Sequence, residues 1–296
     1  MQIYKIVFEE RLKLMIKDYK KFFNAKQEWK SIRINTIKID RDKILKKLEK
    51  RFEIKEMPWY ENGFWVKGNI SKTIEYYLGY YHIQEAASML PPLFLQPEKF
   101  VIDMCAAPGS KTTQMAMMMK NKGIIIANDI NIKRIRALVH NVQKAGAENV
   151  VITNYDARKI YSIGIEADNI LLDAPCTGSG KIINKPIDKK WNYRRILSMS
   201  RLQKELIKAG YKILKKDGIM VYSTCSIEPE ENEEVIDFAI KNLDLEVEHF
   251  KVKGIKFRKG IKEWNGKKFE GADKCIRIWP QDNLTEGFFI CRLRKF

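Results

Sequence analysis

The chain has 296 residues, a net charge of +18 and 45% hydrophobic content, which suits one large or two modest globular domains with a real core. No stretch reaches the ~18 uninterrupted apolar residues of a membrane span, so no membrane partner is expected. Five cysteines lack any Cys-x-x-Cys spacing and only three histidines occur, which argues against disulfide and zinc frameworks. The N-terminus lacks the apolar core of a secretory signal, and a reducing cytoplasm is the expected setting. The charge is uneven. Residues 1–72 hold 19 Lys/Arg and 10 Asp/Glu, residues 251–296 hold 13 and 5, and the middle holds 23 and 22. Two basic ends flanking a balanced centre point to a phosphate backbone as partner.

Taken in order, residues 4–23 place Ile6, Val7, Leu12, Leu14, Met15, Tyr19 and Phe22 at helical spacing. Ser31 to Ile39 alternates like a strand, Arg41 to Lys50 reads as a helix, and Gly63 to Lys67 as another strand. These predict a small α+β module over 1–72 ahead of a second domain, 73–296. The aromatic run Tyr76 to Glu85 is expected mainly as interdomain core, with base stacking as the alternative. Ala86 to Leu95 is apolar and helical, with an interruption at Pro91-Pro92.

From Phe100 the pattern is regular. Apolar strands begin near 100, 123, 150, 168 and 218, with helical stretches at 111–121, 131–146, 198–216 and 229–242. The last opens with Pro229 and a run of acids, a helix N-terminal signal. Such alternation predicts an α/β fold with a doubly wound, mostly parallel sheet. Late strands Leu245–Phe250 and Gly287–Leu293 can close one edge.

Ligands of open α/β sheets bind beyond the carboxyl ends of the strands. The first strand runs into Cys105-Ala106-Ala107-Pro108-Gly109-Ser110-Lys111, a small-residue loop leading into a helix. It matches neither the Walker loop, since Ser precedes the Lys, nor the three-glycine dinucleotide fingerprint, so a nucleotide-like cofactor of another kind is expected. Asp129 stands where a carboxylate takes ribose hydroxyls. Asp156 can accept from an adenine amino group or cap the next turn, and Arg134 can face the same pocket. Asp173-Ala-Pro-Cys176 and Ser223-Thr-Cys225-Ser226 put thiols among turn residues at two further strand ends, a setting for reactive rather than buried cysteine. Cys275 and Cys291 have no such setting.

Three stretches together, Asp103-Met-Cys-Ala-Ala-Pro-Gly-Ser-Lys-Thr112, Asp173-Ala-Pro-Cys-Thr-Gly-Ser-Gly180 and Tyr222-Ser-Thr-Cys-Ser-Ile-Glu-Pro-Glu-Glu-Asn-Glu233, resemble the Nol/Nop/Sun RNA cytosine-5 methyltransferases. The likeness runs from about Ser31 to the C-terminus. It also takes in Arg33-Ile-Asn-Thr36, Gln84-Glu-Ala-Ala-Ser88 and Arg201-Leu-Gln-Lys-Glu205. It implies a Rossmann-like methyltransferase domain with S-adenosylmethionine as cofactor: Cys105 to Lys111 around its methionine end, Asp129 at the ribose, Asp156 at the adenine and Arg134 in contact. It further implies Cys225 as the nucleophile on C6 of cytosine, Asp173 near N3, and Cys176 in release of the product. The implied substrate is RNA, tRNA ahead of ribosomal RNA, with 1–72 as an RNA-binding module. A monomer is the default, since nothing in the sequence calls for an oligomer. A non-catalytic RNA-binding assembly factor would need none of the three catalytic residues. A thiol redox protein would need a nearby resolving cysteine. A DNA cytosine methylase would use the Pro-Cys thiol as nucleophile.

Overall fold

The computed structural model describes residues 2–25, 28–181 and 191–296. The helical pattern at the start splits into α1 (Gln2–Met15) and α2 (Tyr19–Asn24). Then come β1 (Lys30–Ile34), α3 (Arg41–Leu48), β2 (Glu53–Glu56), β3 (Gly63–Lys67), α4 (Ile74–Tyr77) and β4 (Tyr81–Ile83). The four strands form an antiparallel sheet in the order β2-β3-β1-β4. Asp40 caps α3 by accepting from the Lys43 N–H. That helix lays Ile44, Leu45 and Leu48 on Ile32, Ile34, Phe64 and Val66.

Two features of this region differ from expectation. The sheet takes its fourth strand from beyond residue 72, because β4 lies beside β1 rather than beside a neighbour in sequence. And α1 and α2 pack away from that sheet: Phe8, Leu12 and Phe22 cluster with Trp191, Ile227 and Trp279. Arg11 fixes the contact by donating to Glu228 at 2.7 Å and Glu230 at 2.8 Å. An apolar helical face announces itself in sequence; its partner does not.

The second part contains α5 (Leu90–Leu95), β5 (Phe100–Asp103), α6 (Ser110–Met118), β6 (Ile124–Asn128), α7 (Ile132–Ala145), β7 (Val150–Thr153) and β8 (Ala167–Asp173). It continues with α8 (Tyr193–Ile213), β9 (Leu214–Thr224), α9 (Glu233–Asn242), β10 (Leu245–Glu248) and β11 (Arg258–Lys259). It ends with β12 (Glu263–Trp264), β13 (Lys267–Lys268), β14 (Ile276–Ile278) and β15 (Phe288–Lys295). Pro91 and Pro92 do not interrupt a helix; they start α5, in whose first turn no N–H partner is needed. The main sheet runs β11-β14-β15-β9-β8-β5-β6-β7, with β10 also on β15. β7, β6, β5, β8 and β9 are mutually parallel, and the late strands are antiparallel. Apolar clusters cover both faces. Strand order reverses between β5 and β8, so their carboxyl ends open a crevice there.

Arg33 joins the two parts. Its side chain on β1 is 1% exposed and donates to Gln84 Oε1 at 3.0 Å and to Thr113 Oγ1 on α6 at 2.9 Å. Burial lowers the guanidinium to about 10, which leaves it charged at neutral pH. Arg33→Ala strands those acceptors and opens a cavity, so it should cost ~3 kcal/mol in urea unfolding.

Candidate active site

The crevice holds a cavity of about 740 Å³, within the size range of sites for small organic ligands. Its lining includes Cys105, Ala106, Ala107, Pro108, Ser110, Lys111, Asp129, Arg134, Asp156, Asp173, Cys176 and Cys225. The residues singled out from sequence therefore converge on one space, apart from Gly109. That glycine makes the turn instead: it caps α6 at φ 101°, and a Cβ there would meet Leu138 Cδ1 at 2.7 Å.

The loop is tight. The Ala106 N–H donates to Asn128 O and the Gly109 N–H to Ala106 O, each at 2.7 Å. The Asp129 carboxylate braces it, accepting from the Ala107 N–H at 3.2 Å and the Asn131 N–H at 2.9 Å. Arg134 lies 3.3 Å from Asp129 and also donates to Ala107 O. Asp156 takes the capping role and also faces the cavity. It binds the Arg158 side chain. Arg158 holds its carboxyl below the usual range. Cys105 is desolvated beside three carboxylates, and its thiol is pushed far up, so it is no nucleophile.

Asp103, at the end of β5, accepts from Thr112 Oγ1 at 2.7 Å. Its other oxygen is buried and makes no hydrogen bond among the described residues. Burial lifts this carboxyl to about 7. An unpaired acceptor on the wall of a cavity is a place for a ligand's ammonium or hydroxyl. In sequence Asp103 stands only as the first residue of a motif, with no role of its own.

The chemistry sits one strand over. The register of β8 with β9 sets Asp173 beside Ser223. Asp173 accepts from Ser223 Oγ at 2.8 Å and from Lys111 Nζ at 2.7 Å. Beyond these strand ends, Cys176 Sγ and Cys225 Sγ stand 3.2 Å apart. The bond between the two thiols, helped by Lys181 and Lys111 against burial, lowers the Cys225 thiol, while Cys176 is raised. Cys225 is thus the more acidic of the two.

Glu231 holds both thiol loops. It accepts from the Thr177 N–H at 2.9 Å, Ser226 Oγ at 2.9 Å and Gln203 Nε2 at 3.1 Å. Gln203 also donates to Pro175 O at 2.9 Å. The acids of 228–234 read in sequence as a helix N-terminal signal, and only Glu233 and Glu234 lie in the first turn of α9. The others reach outward: Glu228 and Glu230 take Arg11, and Glu231 takes the thiol-bearing loops. Even Glu233 is spent on buried Arg277, at 2.6 Å.

A cofactor-sized crevice at the switch point of a doubly wound sheet, with two thiols and a carboxylate at its strand ends, defines a Rossmann-like fold with an enzyme's cavity. The profile of the 16S rRNA methyltransferase RsmB/F family matches residues 91–294, and that of the N-terminal domain of 16S rRNA methyltransferase RsmF matches residues 7–86. The chain belongs to this family, the Nol/Nop/Sun group, and is an RNA cytosine-5 methyltransferase. It is 41% identical over 308 residues to the tRNA (cytosine(49)-C(5))-methyltransferase of Pyrococcus abyssi, with 99% of each chain covered. It is 40% identical over 288 residues to the ribosomal RNA small subunit methyltransferase F of Shewanella amazonensis, covering 90% of this chain and 58% of that one. A methyltransferase homolog protein from Pyrococcus horikoshii superposes with a TM-score of 0.88 at 36% identity, covering 98% of this chain and 95% of that one. NSun6 from Pyrococcus horikoshii, solved with SFG, superposes at 0.85 and 26% identity over 97% of each chain.

Proposed function

We propose that the protein methylates C5 of a cytosine in tRNA, using S-adenosylmethionine, through a covalent bond between Cys225 and C6 of the base. The observation that carries this is the pair of thiols 3.2 Å apart at the ends of adjacent strands, in one cavity with Asp173 and the Cys105–Lys111 loop. The residues present suit the cofactor. The loop has no bulky side chains, and the unpaired Asp103 oxygen suits the ammonium of a methionine end. Asp129 and Asp156 would face the ribose and adenine. The cofactor supplies a methyl group on a positively charged sulfur. The relative solved with SFG, an analogue of S-adenosylmethionine, supports the choice.

C5 of cytosine is a weak nucleophile. Addition of the Cys225 thiolate to C6 turns C5 into an enamine-like carbon. Charge then builds on the ring, and Asp173, hydrogen-bonded by Lys111 Nζ, is the group we assign to N3. After transfer, the C5 proton must leave before Cys225 can be expelled, and Cys176 is the base we assign to that step. A cytosine can reach such a crevice only when unstacked, at a cost of a few kcal/mol. The basic ends, including the proposed RNA-binding module at 1–72, offset part of that through phosphates.

The choice of tRNA is supported by the Pyrococcus abyssi relative, which matches end to end. Ribosomal RNA is the second reading, on the Shewanella relative. Bisulfite sequencing of cellular RNA from a deletion strain decides: a site lost from tRNA supports the reading, and one lost from ribosomal RNA replaces it. If about six phosphates are contacted, RNA affinity should fall on the order of 10³-fold between 50 and 200 mM salt in filter binding; a flat response would remove the basic ends from the interface.

A further inference from the structure

We propose that Lys181 is a positioning residue for the nucleophile: its ammonium faces Cys225 across Gly178 and holds that sulfur as the thiolate. This rests on Cys225 being the attacking group. The placement is fixed by backbone. The Gly180 N–H donates to Cys225 O at 2.9 Å, the Lys181 N–H to Gly178 O at 3.0 Å, and the Gly287 N–H to Gly180 O at 2.9 Å. A Cβ on Gly180 would lie 2.1 Å from Gly287 O and 2.8 Å from Cys225 O, so only glycine permits the approach. Lys181 is the next residue, and its side chain turns into the same cavity as Cys225. A Cβ on Gly178 would sit 3.9 Å from Cys225 Sγ and 4.0 Å from Lys181 Cδ, so the sulfur and the lysine stem share one glycine-floored space.

The other lysine of the site contributes less. Lys111 is paired with Asp173 at 2.7 Å and acts on Cys225 more weakly than Lys181 does, whereas Lys181 forms no such short pair among the described residues and feels the Glu286 and Asp173 carboxylates less than the Cys225 sulfur. The coupling runs both ways: Cys225 is the largest influence raising the Lys181 ammonium, and Lys181 is the largest charge lowering the Cys225 thiol. Lys181 stands at the exposed mouth of the crevice, where water screens part of its charge. Its contribution should therefore be moderate and purely electrostatic, which sets it apart from the Cys176 hydrogen bond.

The test is the pH profile of Cys225 alkylation by iodoacetamide in the full-length protein, followed by peptide mass spectrometry. K181M should slow alkylation at pH 7 by roughly fivefold to tenfold, a rise of up to about one pH unit in the midpoint. K181R should stay within about twofold of wild type. In methylation assays K181M should lower kcat and leave KM for RNA unchanged. A K181M profile that overlays wild type, with circular dichroism intact, overturns the proposal. So does an equal shift in K181M and K181R, or a rise in KM alone, which would mark a phosphate contact. The alkylation readout needs no RNA, so a shifted profile in a protein that fails to methylate tRNA would leave this role standing and remove the tRNA reading.

Discussion

Cys225→Ala is expected to abolish methyl transfer, a loss of at least about 10⁴-fold, while binding of S-adenosylmethionine by calorimetry stays within about twofold. The asymmetry follows from position. Cys225 stands beyond β9, across the cavity from the Cys105–Lys111 loop, and among the described residues its sulfur is bonded to Cys176. Of the described thiols in the crevice it alone is lowered. Asp173 and Lys111 are bound to each other, and Cys105 is held as a thiol by burial. Cys225→Ser keeps the shape but offers a hydroxyl whose proton no neighbour is placed to take, so it should be nearly as inactive. In the wild type, the Cys176 hydrogen bond lowers the Cys225 thiol below its ordinary value. The rate should therefore rise from acid pH and level off earlier than a free cysteine would allow, as the thiolate fills. Methylation near the wild-type rate in Cys225→Ala, measured with tritiated S-adenosylmethionine, would remove the nucleophile assignment.

Much of this site was legible in sequence because strand ends are legible. Apolar runs closed by Asp103, Asp129, Asp173 and Cys225 mark where a parallel sheet delivers side chains, and the topology then brings them together without further instruction. What stayed hidden depends on pairing across distance. The boundary at 72 missed β4 because an aromatic run next to Gly79 gives no sign that it pairs with β1. The acids at 228–231 looked like helix-dipole charges, and they became partners for Arg11, Trp191 and Thr177, groups far away in the chain. Arg33 was visible as part of a motif, but its burial against uncharged partners at the junction was not. The resemblance put Gly109 with its neighbours around the cofactor's methionine end. Here it relieves the backbone and leaves the cavity wall to its neighbours.

Removing Cys176 should have the opposite signature to removing Cys225. Cys176→Ala is expected to trap protein on RNA as a covalent adduct that survives a denaturing gel, with turnover reduced by about 10²-fold or more. In the free enzyme Cys176 is a poor base: its hydrogen bond to Cys225 is the largest cause holding its proton, followed by burial. Bond formation between Cys225 and C6 removes that cause, since the sulfur is no longer an anion. The Cys176 thiol then falls back toward the range of an ordinary cysteine, at the stage when the C5 proton must be taken. This change needs no movement of the loop, whose Thr177 and Pro175 are tied to Glu231 and Gln203 in the free protein, so the first chemical step can itself create the base. With alanine at 176 the addition and methyl transfer can still proceed, elimination cannot, and the adduct should carry one methyl group per protein. Mass spectrometry of the nuclease-digested adduct reads this directly. Methylated nucleotide attached at Cys225 is the expected product. Free turnover with no adduct would assign proton removal to another group of the cavity, Asp173 being the first to test.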